Sequence, residues 1–516
     1  MRPENSEKKE FVLSGKNTAQ RIRNGGSILF ESGGEFILPD YMPKVQKVLR
    51  MEARALPPAQ YINGTEAQMS GSVLHTLIYL GEDGEVSATV LPSKYDFSVP
   101  LVEGQDPQLS ADAVVDSVTY RLSAPRKINI RTRLRSQPCI YTREDISEEQ
   151  LPAAEMPGLH KLYGEFDGVD TLLLRAQDVE LSDSIELGGK AEIKPLWCGA
   201  TAAVTDARAA DGGVGVRGDV YAKVLILEAG APKMLQKKIP FDEFLEADIQ
   251  KGTTAAASAR VISTEAGVSS DNSNLMLEVI LAIEGRADQP RKIRAVTDAF
   301  SETAEGKIEY RPLETDRLLF SRCGVYDIGG SVAKNAAGAS DAVTVLDTSG
   351  EAKVEEATAR DGKISVSGRC AMNSIYTTES GETSGEFTVP FKISFDCETP
   401  DGTEVMAEAT LVNARSRLDG DNLVCDAEIA LCMRVLQRKE AQIVGKIDFS
   451  APKRYEKNVH PVCLIYPKGE SLWTISKQYH VAPEALAAVN GLSIPEEDYT
   501  DVHALDSAHV LMLELK

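Results

Sequence analysis

Residues 363–395, KISVSGRCAMNSIYTTESGETSGEFTVPFKISF, alternate apolar and polar side chains on both sides of a glycine-bearing turn. Ile364, Val366 and Gly368 lead into Ala371 through Tyr376; TTESGETSG reverses the chain, and Phe387, Val389 and Pro390 bring it back. A period of two bounded by Gly, Ser and Thr predicts a half-buried β-hairpin. The outline recurs twice. Ala67, Met69 and Gly71 return at Pro92, and Val214, Val216 and Gly218 return at Pro240. Gly71 to Gly218 is 147 residues and Gly218 to Gly368 is 150, while glycine to proline is 21, 22 and 22. Later strands keep the period, since Asn274-Leu275 and Asn422-Leu423 stand 148 apart. Three copies of one β-rich unit therefore fill most of the chain.

A chain of 516 residues carries a prior of three or four domains, in agreement with the repeat spacing. Short alternating strands without a sustained helical period predict a mainly β protein: three tandem antiparallel β-sandwich or barrel-like repeats, followed by a small βααβ module. The expected boundaries are a flexible tail over 1–34, repeats over 35–142, 160–305 and 312–452, and the module over 460–516. The Pro- and acid-rich segment 140–161, the stretch 286–320 and the residues after 450 read as connections. The strand from Lys127 to Arg135 is basic on one face and reads as a solvated sheet face.

Composition narrows the function. Acids outnumber bases 78 to 56 for a net charge of -22, and aromatics are only 6%. A phosphate backbone needs clustered cations and stacked bases need aromatic platforms, so nucleic acid is not an expected partner. The first residues lack the apolar core of a secretory signal, and no run approaches eighteen apolar residues. A cytoplasmic location without membrane insertion is expected. Eight scattered cysteines form no Cys-x-x-Cys pair, which predicts reduced thiols. Phosphate-loop, zinc-protease and nucleophile-elbow motifs are all absent, and the six histidines are dispersed. His503 and His509 alone do not close a metal site. No enzymatic activity, cofactor or metal is expected.

From Val462 the pattern changes. A strand over 462–466 precedes a helix with Leu472, Ile475 and Tyr479 at three- and four-residue spacing, with Ser471 at its N-cap. Pro483 opens a second helix in which Leu486 and Val489 face inward, Asn490-Gly491 closes it, and 510–515 forms a last strand. Trp473 is expected in the small core. This unit resembles a LysM domain through Gly469, Leu472, Trp473, Ile475, Tyr479, Val481, Leu486, Asn490, Gly491, Leu505 and Leu511, with Glu470 where the family usually has aspartate. The resemblance implies a shallow groove for N-acetylglucosamine polymers. That groove would lie between Gly469, Glu470, Ser471 and Leu472 on one side and Asn490, Gly491, Leu492, Ser493, Ile494 and Pro495 on the other.

The three repeats resemble the SPOCS-type domain of bacterial endospore coat and cortex morphogenesis proteins, through the strand glycine, the apolar-Tyr strand end and the Pro-Phe return. Together the two resemblances imply a spore-envelope scaffold on the mother-cell side of the forespore, whose LysM domain docks onto the ATPase that polymerises there. The alternative they leave is a cell-wall protein that binds peptidoglycan or a chitin-type glycan.

Overall fold

The structure, a computed structural model, describes residues 9–10, 18–101, 105–146, 158–188, 192–452, 462–465, 469–492, 500–501, 505 and 510–514. It is mainly β, with antiparallel pairing except where Lys9–Glu10 runs parallel to Ala247–Asp248, and two short helices near the C-terminus. After β1 (Lys9–Glu10), which pairs with Ala247–Asp248 of the second repeat, the first repeat contains β2 (Thr18–Asn24), β3 (Ile28–Ile37), β4 (Val45–Ala55), β5 (Ala59–Asn63) and β6 (Glu66–Gly81). It continues through β7 (Val86–Pro100), β8 (Gln105–Ser110), β9 (Val114–Ala124), β10 (Lys127–Ser136) and β11 (Cys139–Asp145). The second contains β12 (Leu159–Glu186), β13 (Ile193–Ala210), β14 (Gly213–Glu228), β15 (Ala231–Asp248), β16 (Thr254–Val268) and β17 (Asn274–Ser301). The third contains β18 (Ala304–Ala333), β19 (Thr344–Arg360), β20 (Lys363–Thr378), β21 (Gly381–Asp396), β22 (Thr403–Asp419) and β23 (Asn422–Pro452).

Each repeat has a front sheet built on the hairpin and a back sheet built on the late strands. The front sheets are β4/β5-β6-β7, β13-β14-β15 and β19-β20-β21; the back sheets are β3-β10-β9, β12-β17-β16 and β18-β23-β22. Alternation along the strands turns one face of each sheet inward, and the two faces close over an apolar core. In the second repeat that core includes Val216, Val224, Phe241, Leu277 and Leu281, and in the third Val366, Tyr376, Phe391, Ile429 and Leu431.

The repeat glycines take equivalent places. Gly71 pairs with Tyr95, Gly218 with Phe241 and Gly368 with Phe391, and a Cβ at any of the three would lie closer than 3.0 Å to that ring. The ring fills the space left by the missing side chain. On the other flank the neighbouring strand is broken opposite the glycine: by bulges at Thr205 and Glu355, and in the first repeat by the gap between β4 and β5. The expected proline marker is less regular. Pro240 and Pro390 precede the aromatic residue directly, whereas Pro92 pairs with Leu74, so the aromatic ring is the constant feature.

A second set of bulges joins the repeats. Leu49, Leu196 and Leu346 are each skipped in the pairing of their strand with the hairpin, and their separations of 147 and 150 are the repeat periods. A bulge re-aims the side chain, here into a cluster with Ile78, Leu225 and Ile375, one residue from each hairpin. Two further clusters are also shared by the three repeats. Ile22, Val169 and Leu318 meet in one, and Ala19, Phe166 and Leu313 in the other. The repeats thus converge on a common line instead of following one another as beads.

Charges buried beside the first cluster break the threefold pattern. The positions equivalent to Arg50 are Trp197 and Asp347, and Arg50 Nη1 lies 2.5 Å from Asp347 Oδ2 while Lys223 Nζ lies 2.9 Å from Oδ1. Arg434 similarly pairs with Asp288 at 2.7 Å, with Arg286 on its other oxygen at 3.0 Å. Exchanging two repeats would bury Arg50 away from its acid, so these pairs select the order of packing.

Several expectations require correction. Residues 18–24 and 28–37 are not a tail: they form β2 and β3, paired with β11 and β10. In β3 the polar, glycine-broken sequence belongs to a strand with one face toward solvent, whereas β2 is mostly buried and its polar side chains have partners inside, Gln20 bonding the Thr171 backbone. Residues 286–320 are not a connection but the ends of β17 and β18, which extend below the sandwich. They supply Ile293, Ala295 and Leu313 to a shared cluster. Of the segment 140–161, residues 147–157 lie outside the described residues, and the rest belongs to β11 and β12. The basic face of β10 is balanced by β3, with Lys127 on Glu35 at 2.8 Å and Arg131 on Glu31 at 2.7 Å.

Not all thiols are reduced. Cys323 and Cys432 face each other across β18 and β23 and form a disulfide, a register that spacing along the sequence does not reveal. At the corresponding place in the second repeat Arg175 pairs with Glu284 at 2.9 Å, so the bridge does not recur there. Cys139, Cys198, Cys370, Cys397 and Cys425 are free. Burial pushes the Cys198 thiol up to about 11 and that of Cys370 up to about 12, which suppresses their reactivity. No helix among the described residues is long and apolar enough to cross a membrane.

Candidate binding site in the C-terminal module

The module is built from β24 (Val462–Ile465), α1 (Leu472–Tyr479), α2 (Pro483–Val489) and β25 (Leu511–Glu514). β24 and β25 pair antiparallel, with Val462 opposite Glu514 and Ile465 opposite Leu511. Ser471 caps α1, its Oγ accepting the N–H of Thr474 at 3.2 Å, and satisfies a donor that the helix itself cannot. His480 closes α1 in the left-handed region at φ 55°, and Pro483 opens α2. Leu472, Ile475, Leu486, Leu505 and Leu511 form the core.

The cap sets the rotation of α1, and this decides the fate of the groove residues. Gly469, Glu470 and Gly491 are exposed, the glycines at φ 69° and 62°. Ser471 is buried and occupied as a cap. Leu472 is wholly buried; placed on the groove by the resemblance, it belongs to the core and presents no surface to a ligand. Asn490 follows α2 and ties it to the sheet: Nδ2 donates to Leu486 O at 2.8 Å and to Met512 O at 2.9 Å, while Oδ1 accepts the Met512 N–H at 2.6 Å. Leu492 packs against the core. Ser493, Ile494 and Pro495, like His503 and His509, lie outside the described residues. Among the described residues no group of three or more His, Cys, Asp or Glu side chains could hold a metal ion.

Trp473 has a different role from the expected one. It is absent from the module's core cluster and faces the end of the second repeat. Its Nε1–H donates to Asp298 Oδ2 at 2.9 Å, and its ring meets Phe300 edge-on at 5.1 Å. One and two helical turns on, Lys477 Nζ reaches both Asp298 oxygens at 2.6 and 2.8 Å, and His480 Nδ1 donates to Ser301 O at 2.7 Å. His160 stacks on Phe300 at 5.0 Å and bonds Glu302 at 2.6 Å. Burial opposes ionisation of Asp298, but the hydrogen bonds from Lys477 and Trp473 outweigh it and hold the carboxyl below its usual range. Burial, with the hydrogen bond its hydroxyl donates to this carboxylate, pushes Tyr310 up to about 12.

Residues 473, 477 and 480 form one stripe of α1, so a helix whose opposite face builds the module's core carries a docking face as well. The sequence signal for it was available in Trp473, Lys477 and His480 at that spacing; their target on β17 was not. Trp473→Ala is therefore expected to release the module without unfolding it, costing the docked state roughly 3 kcal/mol. Amide exchange should accelerate at Phe300 and Ser301 and remain slow in α1. Loss of protection throughout α1 would return Trp473 to the module's core.

Comparison with curated proteins gives no match to this chain. Comparison with protein-family models matches residues 468–496 to the LysM domain.

Proposed function

We propose that the protein is a non-enzymatic scaffold of the spore envelope, acting in the mother-cell cytoplasm, and that its LysM domain docks a protein partner. The partner is the coat-assembly ATPase implied by the resemblance of the three repeats to SPOCS-type domains. The observation that carries a protein ligand is the outer face of the β24–β25 pair. Leu464 and Met512 stand opposite each other there, 65% and 41% exposed, with Val489 and Val510 also exposed. Docking of α1 on β17 leaves this face uncovered. An apolar cross-strand pair open to water suits a protein interface, whereas Leu472 and Asn490 of the sugar groove are occupied within the domain.

The second reading, binding of peptidoglycan or another N-acetylglucosamine polymer, is supported by the LysM match itself and by the exposed turns at Gly469 and Gly491. Titrating the full chain with the ATPase and with chitin oligomers separates the two. Leu464→Glu and Met512→Glu are expected to weaken the ATPase about 30-fold each, about 2 kcal/mol, with little change in Tm. Glycan binding without ATPase binding would reverse the order of the readings.

A further inference from the structure

Between the β14–β15 hairpin of the second repeat and the β18–β23–β22 sheet of the third lies a cleft of 610 Å3. Its volume falls within the roughly 300–1,000 Å3 of pockets that hold small ligands. Tyr221, Gln236 and Lys238 line one wall; Asp327, Arg415 and Glu428 line the other.

The repeats themselves show what the fold requires at this seam. Tyr221 and Lys238 are cross-strand partners; the first repeat carries the pair Leu74 and Pro92 in their place, and the third Ala371 and Thr388. Where the third repeat has Asp426 and Glu428 on β23, the second has Glu278 and Ile280 and the first Arg131 and Arg133, at the repeat periods. The same backbone packs with apolar, small or oppositely charged residues at these sites. The polar set at this one seam is therefore not a packing requirement.

The charges define the ligand class. Three of the four cations lining the cleft are held by the protein's own acids: Lys223 by Asp347 at 2.9 Å, Lys238 by Asp219 at 2.9 Å and Lys237 by Asp183 at 3.2 Å. The fourth, Arg415, donates to Gln236 at 3.0 Å on a wall that also carries Asp327 and Glu428, so an anion is opposed. The carboxylate of Asp327 has no hydrogen bond or ion pair among the described residues. Glu428 accepts from Asn413 Nδ2 at 3.0 Å through one oxygen, leaving the other for a ligand. Planar acceptors, side-chain amides and a guanidinium match vicinal hydroxyls, and the wall is completed by the Tyr221 ring, over which Lys238 Nζ lies at 5.3 Å.

We propose that this seam is a saccharide-binding cleft, separate from the C-terminal module and independent of what that module binds. Calorimetric titration of the full chain with N-acetylglucosamine tetramer, cellotetraose and the N-acetylglucosaminyl-N-acetylmuramyl disaccharide tests it. At least one is expected to bind, and Tyr221→Leu and Asp327→Asn should each weaken that binding about tenfold without lowering Tm. Tyr221→Leu installs the residue of the first repeat, which the same fold already accepts. Absence of binding by all three sugars, or binding unaffected by both substitutions, would overturn the proposal.

Discussion

Replacing Asp347 with alanine is expected to cost about 3 kcal/mol of unfolding free energy, because it takes from the buried Arg50 guanidinium its buried acid and leaves it only the partly exposed Glu52 at 3.4 Å. The side chains of Arg50 and Asp347 are 1% and 0% exposed, and Lys223, on the other carboxylate oxygen, is 13% exposed. Arg50 also donates to Asn373 Oδ1 at 3.1 Å and Asn373 O at 3.2 Å, which holds it at the seam when the acid is gone. Urea titration measures the loss. The double variant Arg50→Met with Asp347→Leu should recover part of it, since it removes the desolvation cost of these two charges along with their attraction, while Lys223, 13% exposed, keeps some access to water. If the double variant is no better than Asp347→Ala, shape rather than charge governs the site.

The pH dependence follows from the same group. Burial alone would raise the Asp347 pKa, but Arg50 and Lys223 reverse this and hold it below the ordinary aspartate value of 3.8. A carboxylate with a depressed folded pKa contributes stability that is complete above its unfolded pKa and disappears as pH falls through the folded one. The contribution of Asp347 is therefore expected to persist through neutral pH and to fade below pH about 4. Asp347→Asn should flatten that part of the acid-denaturation curve.

The second large effect is at the repeat glycines. A Cβ at Gly218 would meet the Ala203 carbonyl oxygen and the Phe241 ring, and at Gly368 the Lys353 carbonyl oxygen and the Phe391 ring, all closer than 3.0 Å. Backbone cannot move aside as a side chain can, so Gly218→Val and Gly368→Val are each expected to destabilise by about 3 kcal/mol or more. At Gly71 the three nearest atoms all belong to the Tyr95 side chain, whose hydroxyl donates to Leu56 O at 2.7 Å. Gly71→Ala should therefore cost less, near 1–2 kcal/mol. Gly215→Ala, whose new Cβ would have its nearest neighbour at 4.0 Å, should be almost silent. Thermal melts of the four variants give the ranking, and equal losses at Gly215 and Gly368 would remove the steric argument.

Alternation and period revealed the hairpins, because a sheet with one buried face imposes a two-residue repeat on its own sequence. Thus Val216, Gly218, Val366 and Gly368 could be placed in a strand without coordinates, and the 147- and 150-residue spacing identified equivalent positions. The βααβ module was equally readable, since Ser471, Pro483 and the inward leucines are local signals for caps and helix faces. Leu49, Leu196 and Leu346 follow the same period, but nothing in their neighbourhood shows that a bulge turns them away from their own strand pairing. From sequence alone Trp473 reads as core, because aromatic residues in small domains usually are.

Local patterning by itself determined the β class, the three copies, the strand glycines and the C-terminal βααβ unit, because each rests on contacts within a hairpin or a helical turn. Tertiary structure decided which repeats share a core, which acid neutralises Arg50, where Trp473 docks and which seam opens as a cleft. These depend on residues brought together from 124 to 297 positions apart. The burial that makes such contacts strong appears only when all three repeats are assembled.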